Sequence, residues 1–215
     1  MSKKVLGIIM AVLPLMGCQE TDAPEQGVDT TILEDGSKPE LVSSETSLLA
    51  EAGLDLSNSL KMTDPSYCRY DGETETAFNR MLAYNWQTNT ETVAPSVSIA
   101  NRTLKTDKSE SSDPEYPGSR FITVSARFPE GTKWNGLSLS RLIREQWIYP
   151  ESDGGDSRTV SFLNTPNEVK TAFQRVGVDV PLAPEYRELP DDGCGGSMQI
   201  VSMSGGAALS CGFGC

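Results

Sequence analysis

Histidine is missing from all 215 residues. That one absence removes Ser-His-Asp and Cys-His nucleophilic catalysis and the common His-based zinc sites. No Cys-x-x-Cys pair occurs, so the usual spacing for thiol redox work is also missing. Basic residues are few, 18 against 30 acidic, for a net charge of −12. Nucleic acid selects basic patches and anionic lipid headgroups attract them, so this balance argues against both. It is compatible with a basic protein partner or divalent cations, and acidity of this size also serves solubility alone. The apolar run from Val5 to Met16 is shorter than the roughly 20 residues that span a bilayer, and Pro14 disfavours a continuous helix through it. No repeat of 20–50 residues is evident.

What is present starts at the N-terminus. Lys3 and Lys4 precede the apolar run, which ends Leu15-Met16-Gly17-Cys18. A basic start, a short apolar core and a small residue before the cut are the parts of an export signal. The segment resembles the signal peptide of bacterial lipoproteins, whose lipobox has Leu at minus three, a small residue at minus one and Cys at plus one; Leu15, Gly17 and Cys18 match. The resemblance implies cleavage before Cys18, diacylglycerol on its thiol, and a further acyl chain such as palmitate on the new amine. Each buried methylene contributes about 0.8 kcal/mol, so two or three chains make a lasting anchor. Gln19 stands where Asp retains such proteins in the inner membrane under enteric sorting. The resemblance therefore implies an outer-membrane anchor with the domain facing the periplasm. It covers residues 1–17 and Cys18 and implies nothing about the mature fold. Lys3 and Lys4 leave with the signal, which takes the basic count from 18 to 16 and the net charge to −14.

Of five cysteines, Cys18 is assigned to lipid. Cys68, Cys194, Cys211 and Cys215 remain, an even number that reads as two disulfides in an oxidising compartment. With Gly205-Gly206 as a two-residue hairpin turn, Ile200 faces Cys211 and Cys215 comes close to Cys194. That register favours Cys194–Cys215 with Cys68–Cys211; Cys194–Cys211 with Cys68–Cys215 stays open. Two thiolates of Cys211-Gly-Phe-Gly-Cys215 are too loosely spaced for a metal site, and no metal or cofactor is expected.

Residues 18–62 are rich in Asp, Glu, Ser, Thr and Gly and read as a flexible tether. A coil of that length averages roughly 35–40 Å end to end. Residues 63–215 form the one globular domain. Asp71-Gly72 opens a helix from about Glu73 to Tyr84, with Ala77, Phe78, Met81 and Leu82 on its apolar side. Strands carrying Val93, Val97 and Ile99 follow, then a polar loop containing Asp113-Pro114 and Pro117-Gly118. Phe121–Phe128 alternates apolar and polar and is the clearest strand. Leu137–Tyr149 fits a helix with Leu139, Leu142, Ile143, Gln146 and Trp147 in a stripe, or a strand with Leu137, Leu139, Ile143, Trp147 and Tyr149 on one face beside Arg141 and Glu145; the Gly-rich loop after it favours the strand. A Gly-rich loop over residues 150–156 turns it into a partner at Thr159–Leu163. Thr165-Pro166 starts a second helix, which Gly177 ends, and Met198–Ser204 pairs with Ala207–Phe213. The pattern predicts an α+β fold: a mostly antiparallel sheet with about two helices packed on it, stapled by two disulfides.

Four constellations are candidates for chemistry. Glu151, Asp153 and Asp156 on the Gly-rich loop offer hard oxygens to calcium, although a solvated hairpin tip explains them as well. Ser197, within Asp191-Asp192-Gly193-Cys194-Gly195-Gly196-Ser197, has no base nearby to make it a nucleophile. Trp134, on a turn, is either a binding surface or core. Arg141, Arg144 and Arg158 form a basic patch or separate ion pairs. None is a catalytic set, so the chain is expected to be a non-enzymatic protein-binding module of the inhibitor or immunity type. The alternatives are a structural or assembly component of the cell envelope, or a cell-wall hydrolase using two carboxylates about 5–10 Å apart.

Overall fold

Alternating apolar residues generate the central strands, and the computed structural model shows how they pair. It describes residues 54–150, 152–190 and 195–214. Short pieces come first: β1 (Met62–Asp64), β2 (Arg69–Tyr70), helix α1 (Gly72–Met81), and the hairpin β3 (Ala83–Asn85) and β4 (Thr90–Thr92). Then follow β5 (Ser96–Ile99), β6 (Arg102–Ser111), β7 (Arg120–Arg127), β8 (Lys133–Trp134), β9 (Leu137–Tyr149) and β10 (Ser152–Phe162). Helix α2 (Pro166–Arg175), β11 (Arg187–Leu189), β12 (Gly195–Met203) and β13 (Gly206–Gly214) complete the order.

Nine strands make one sheet in the order β11-β12-β13-β10-β9-β7-β6-β5, with β8 joined to the start of β9. Every strand pair in it is antiparallel. The chain runs as a meander from β5 to β10. It then crosses through α2 to the far edge and returns along β12 and β13 to close against β10.

Both helices lie on the same face. Helix α1 packs on β5, β7 and β9, and α2 on β9, β12 and β13. Ile122, Val124, Leu142, Val160, Leu209, Met198 and Ile200 point to that side and are fully buried. Each such side chain contributes roughly 1.5–3 kcal/mol by leaving water. Local signals fix the helix starts. The Asp71 carboxylate accepts from the Thr74 amide at 3.1 Å, and Thr165 with Glu168 forms a reciprocal capping box ahead of Pro166. Helix α1 stops at Met81, short of the expected Tyr84, because Ala83–Asn85 turns into the β3–β4 hairpin.

Trp134 is core. It is 3% exposed, donates from Nε1 to the Leu60 carbonyl at 2.7 Å, and packs with Phe162 and Phe173. Its partner lies in residues 54–62, which the sequence assigns to a tether. Here they are packed: Leu56 and Leu60 are fully buried, and the Leu56 amide donates to the Lys133 carbonyl at 2.8 Å. Among the described residues no helix is long and apolar enough to cross a membrane.

The expectation of an α+β domain stapled by two disulfides needs correction. Strands dominate, two helices cover one face, and one disulfide, Cys68–Cys211, is present among the described residues. It ties the chain before α1 to β13. Cys194 and Cys215 lie outside the described residues. The extra strand content comes from polar segments. Most of β6 is exposed, and it is held by cross-strand hydrogen bonds rather than by burial, so its sequence carries no apolar alternation. The first half of β10, expected as loop, pairs with both β9 and β13.

The closing hairpin is shifted by two residues from the expected register. Met203 faces Gly206, so Ser204-Gly205 is the turn and Cys211 faces Met198 rather than Ile200. Gly206 is needed elsewhere: a Cβ there would sit 2.0 Å from the Phe162 carbonyl oxygen, so only glycine lets β13 approach β10. Gly205, at φ +83°, takes the turn.

Candidate functional site

The face of the sheet that neither described helix covers holds the most site-like feature, and it traces back to one extra residue in β9. Ser161 faces Arg141 and Phe162 faces Leu139, so Ser140 is unmatched and forms a bulge. Before the bulge, Leu137 and Leu139 face the core. After it, the even-numbered residues do: Leu142, Arg144, Gln146 and Ile148 are buried. Ile143, Glu145, Trp147 and Tyr149 are turned to the open face.

Strand register then lays out that face in rows. Phe121, Trp147, Gly155, Gly214 and Gly195 are successive cross-strand neighbours. The adjacent row is Thr123, Glu145, Ser157, Gly212, Ser197 and Glu188. Large side chains stand on β9 and β11, and glycine or serine floors the strands between them. The result is an open cleft of 650 Å³, with Trp147 on one wall, Tyr186 and Glu188 on the other, and Ser197 and the glycines beneath. Among the described residues lining it, Glu188 alone is charged.

The glycines are structural requirements of this shape. A Cβ on Gly155 would lie 2.9 Å from Trp147 Cε3 and 2.6 Å from the Phe213 carbonyl oxygen, so the indole rests against bare backbone. A Cβ on Gly154 would come within 3.1 Å of Trp86 Cη2. Aromatic side chains continue outward from the cleft. Tyr149 makes edge contacts with Phe121 and Tyr116, each at 5.8 Å between ring centres. Trp86, Tyr116 and Tyr186 are each more than half exposed.

The helix-covered side of the same strands holds charge instead. Arg144 and Arg158 face each other directly across β9 and β10. Arg144 pairs with Asp156, and Arg158 pairs with Glu75 of α1 while lying 5.9 Å from the Phe213 ring centre. Burial pushes the Arg144 guanidinium below its usual range, against the pull of Asp156. Burial likewise raises the Tyr70 phenol. Among the described residues Tyr70 Oη, Arg144 Nε and Arg158 Nε find no hydrogen-bond partner.

The sequence candidates therefore scatter. Asp156 is a strand residue paired with Arg144, which removes it from a calcium loop. Glu151 lies outside the described residues, and nothing is described of the Asp153 side chain. Among the described residues no group of three or more His, Cys, Asp or Glu could hold a metal. The arginines form no patch: Arg144 and Arg158 face the helices and Arg141 the other side. Ser197 does reach the cleft, but as floor. Trp147, Tyr186 and Glu188 were missed as site residues. The legible signal was the alternation of small residues, Gly155 and Ser157, Gly195 and Ser197, Gly212 and Gly214, on three separate strands. A paired-carboxylate hydrolase needs two acids in one cleft; among the described residues of this lining Glu188 is the acid present.

No family model matches the chain, and neither the curated proteins nor the solved structures returned a match.

Proposed function

We propose that this chain is a non-enzymatic protein-binding module of the inhibitor or immunity type, held by lipid on Cys18 at the periplasmic side of a bacterial outer membrane. The anchor rests on Lys3, Lys4, Leu15, Gly17, Cys18 and Gln19. The binding role rests on one observation: β9 buries Arg144 and Gln146 and leaves Trp147 and Tyr149 on the uncovered face. An open antiparallel face is ordinarily polar. A strand that breaks its local pattern in this direction marks a place where the surface has a task. Aromatic residues beside an open cleft are the side chains that dominate protein recognition.

A photo-reactive amino acid placed at Tyr186 of the full-length, membrane-held chain tests the reading in its own cell envelope. A discrete protein adduct is expected at Tyr186 and not at Gln174 on α2. Equal labelling at both positions, or no protein adduct at either, would overturn it.

A further inference from the structure

We infer that the open-face cleft takes a cationic side chain, lysine or arginine, from a basic segment of the partner. This names the ligand chemistry of the site and rests on the binding-module reading above. Three observations carry it.

The first is charge. Among the described residues of the lining Glu188 is the one charged group, with no lysine or arginine beside it, and the whole chain carries a net of −12. The potential in the cleft therefore favours a cation before any contact is made, and an acidic segment would be repelled.

The second is the aromatic walls. Trp147 lies across the glycine row from one side and Tyr186, 57% exposed, stands beside Glu188 on the other. The face of an indole or phenol ring attracts a cation and also packs the methylene stem that carries it. A carboxylate and an aromatic ring on the same wall make the two halves of a cation seat.

The third is shape. Three strand spacings, roughly 14 Å, separate Trp147 on β9 from β12. The floor between is Gly212 and Gly214 of β13 with Gly195 and Ser197 of β12, none of which projects beyond a hydroxyl. An extended segment fits such a floor, with its backbone beside Trp147 and one long cationic side chain reaching toward Tyr186 and Glu188. The 650 Å³ volume accommodates that side chain and its neighbours. A membrane surface is the less suited occupant, since Glu188 and the net negative charge oppose anionic headgroups.

The probe is acetyl-Ala-Lys-Ala-amide, with acetyl-Ala-norleucine-Ala-amide as its uncharged counterpart. Each is titrated into the full-length protein in detergent micelles while the three tryptophan indole N–H signals are followed by NMR. The signal lost in Trp147→Phe reports the cleft, and that of buried Trp134 serves as the internal control. The lysine peptide is expected to shift the Trp147 signal saturably, with affinity falling about three- to tenfold in Glu188→Gln. The norleucine peptide is expected to leave it unmoved. Equal response to both peptides, an unchanged affinity in Glu188→Gln, or no shift with either overturns the inference. So does a stronger response to vesicles of anionic lipid than to the lysine peptide. If the Tyr186 adduct forms while the lysine peptide fails, the module reading stands and the cation seat falls. If neither occurs, both fall.

Discussion

Asp156→Asn should be far more damaging than loss of a partly exposed carboxylate would suggest. Arg144 is 9% exposed at its side chain and faces Arg158 directly across the β9–β10 pair. Like charges directly opposite on a sheet are destabilising, and here each is balanced by one carboxylate: Asp156 for Arg144, Glu75 for Arg158. An arginine does not escape by losing its proton. Removing Asp156 therefore leaves an uncompensated guanidinium under α1, at a cost of about 3–5 kcal/mol. The reverse change is milder. Asp156 is 25% exposed, so in Arg144→Met it can turn to water while the methionine stem keeps the packing. That variant should lose about 1–2 kcal/mol. In the double variant Arg144→Met/Asp156→Asn the buried charge and its partner vanish together, and stability should return to within about 1.5 kcal/mol of the parent. The cycle thus predicts a coupling of at least about 2.5 kcal/mol. Urea unfolding followed by far-UV circular dichroism measures all four forms. If Asp156→Asn costs less than about 1 kcal/mol, or if the two single losses simply add, then Arg144 is not held as a buried, paired charge.

The Cys68–Cys211 bridge closes a span of 143 residues, for which the chain-entropy relation gives about 5 kcal/mol. Cys68→Ala/Cys211→Ala should lower the urea-unfolding free energy by about 2–5 kcal/mol, and a loss below about 1 kcal/mol would refute that reasoning. Hydrogen bonds from Lys108 and Arg120 pull the Glu91 carboxyl down from 4.5 to about 2. A depressed carboxylate stabilises the fold fully above its unfolded value and loses that contribution as pH falls from 4.5 toward 2. After solvent screening the effect is about 1 kcal/mol. Unfolding midpoints at pH 6, 4 and 3 should fall more steeply for the parent than for Glu91→Gln, and parallel curves would contradict the assignment.

Elements whose signals are local were legible in the sequence. Thr165-Pro166 with Glu168 announces α2, and the apolar alternation of Ile122, Val124 and Ala126 announces β7. Elements held from outside were not. Strand β6 is polar because one edge pairs with β7 while its side chains stay in water, and nothing in Asp107-Lys108-Ser109-Glu110 records that pairing. Asp156 and Arg158 read as loop and surface because their partners, Arg144 and Glu75, come from β9 and α1, the latter 83 positions away. The closing hairpin was misplaced by two residues because Gly205 and Gly206 look alike in sequence. Their separate duties, a positive φ and a close approach, appear only once Phe162 is beside them. The cleft was illegible for the same reason, since its walls are contributed by β9 and by the segment leading into β11.

The open face also shows why its aromatic wall is a consequence of the whole sheet and not of β9 alone. A strand has period two, so one residue of slip exchanges its faces. Without the Ser140 bulge, Leu137, Leu139, Arg141, Ile143, Glu145 and Trp147 would all point inward, burying Arg141 and Glu145. With it, Arg144 and Gln146 go in instead. Charge is buried in either register, so hydrophobicity of β9 does not choose between them. Its neighbours do. On β7, Ile122, Val124 and Ala126 face the helices, and on β10 Val160 does so across from Leu142. Asp156 on β10 and Glu75 on α1 then stand ready to neutralise Arg144 and Arg158. Trp147 is left outside by this arrangement, but nothing in it requires that the outside residue be tryptophan. Threonine or lysine would fit the pleat and avoid exposing an indole. Glycines at Gly155 and Gly214 that leave the indole bare backbone to rest on, together with Glu188 opposite, make a surface shaped for an occupant, and the binding proposal stands on that combination.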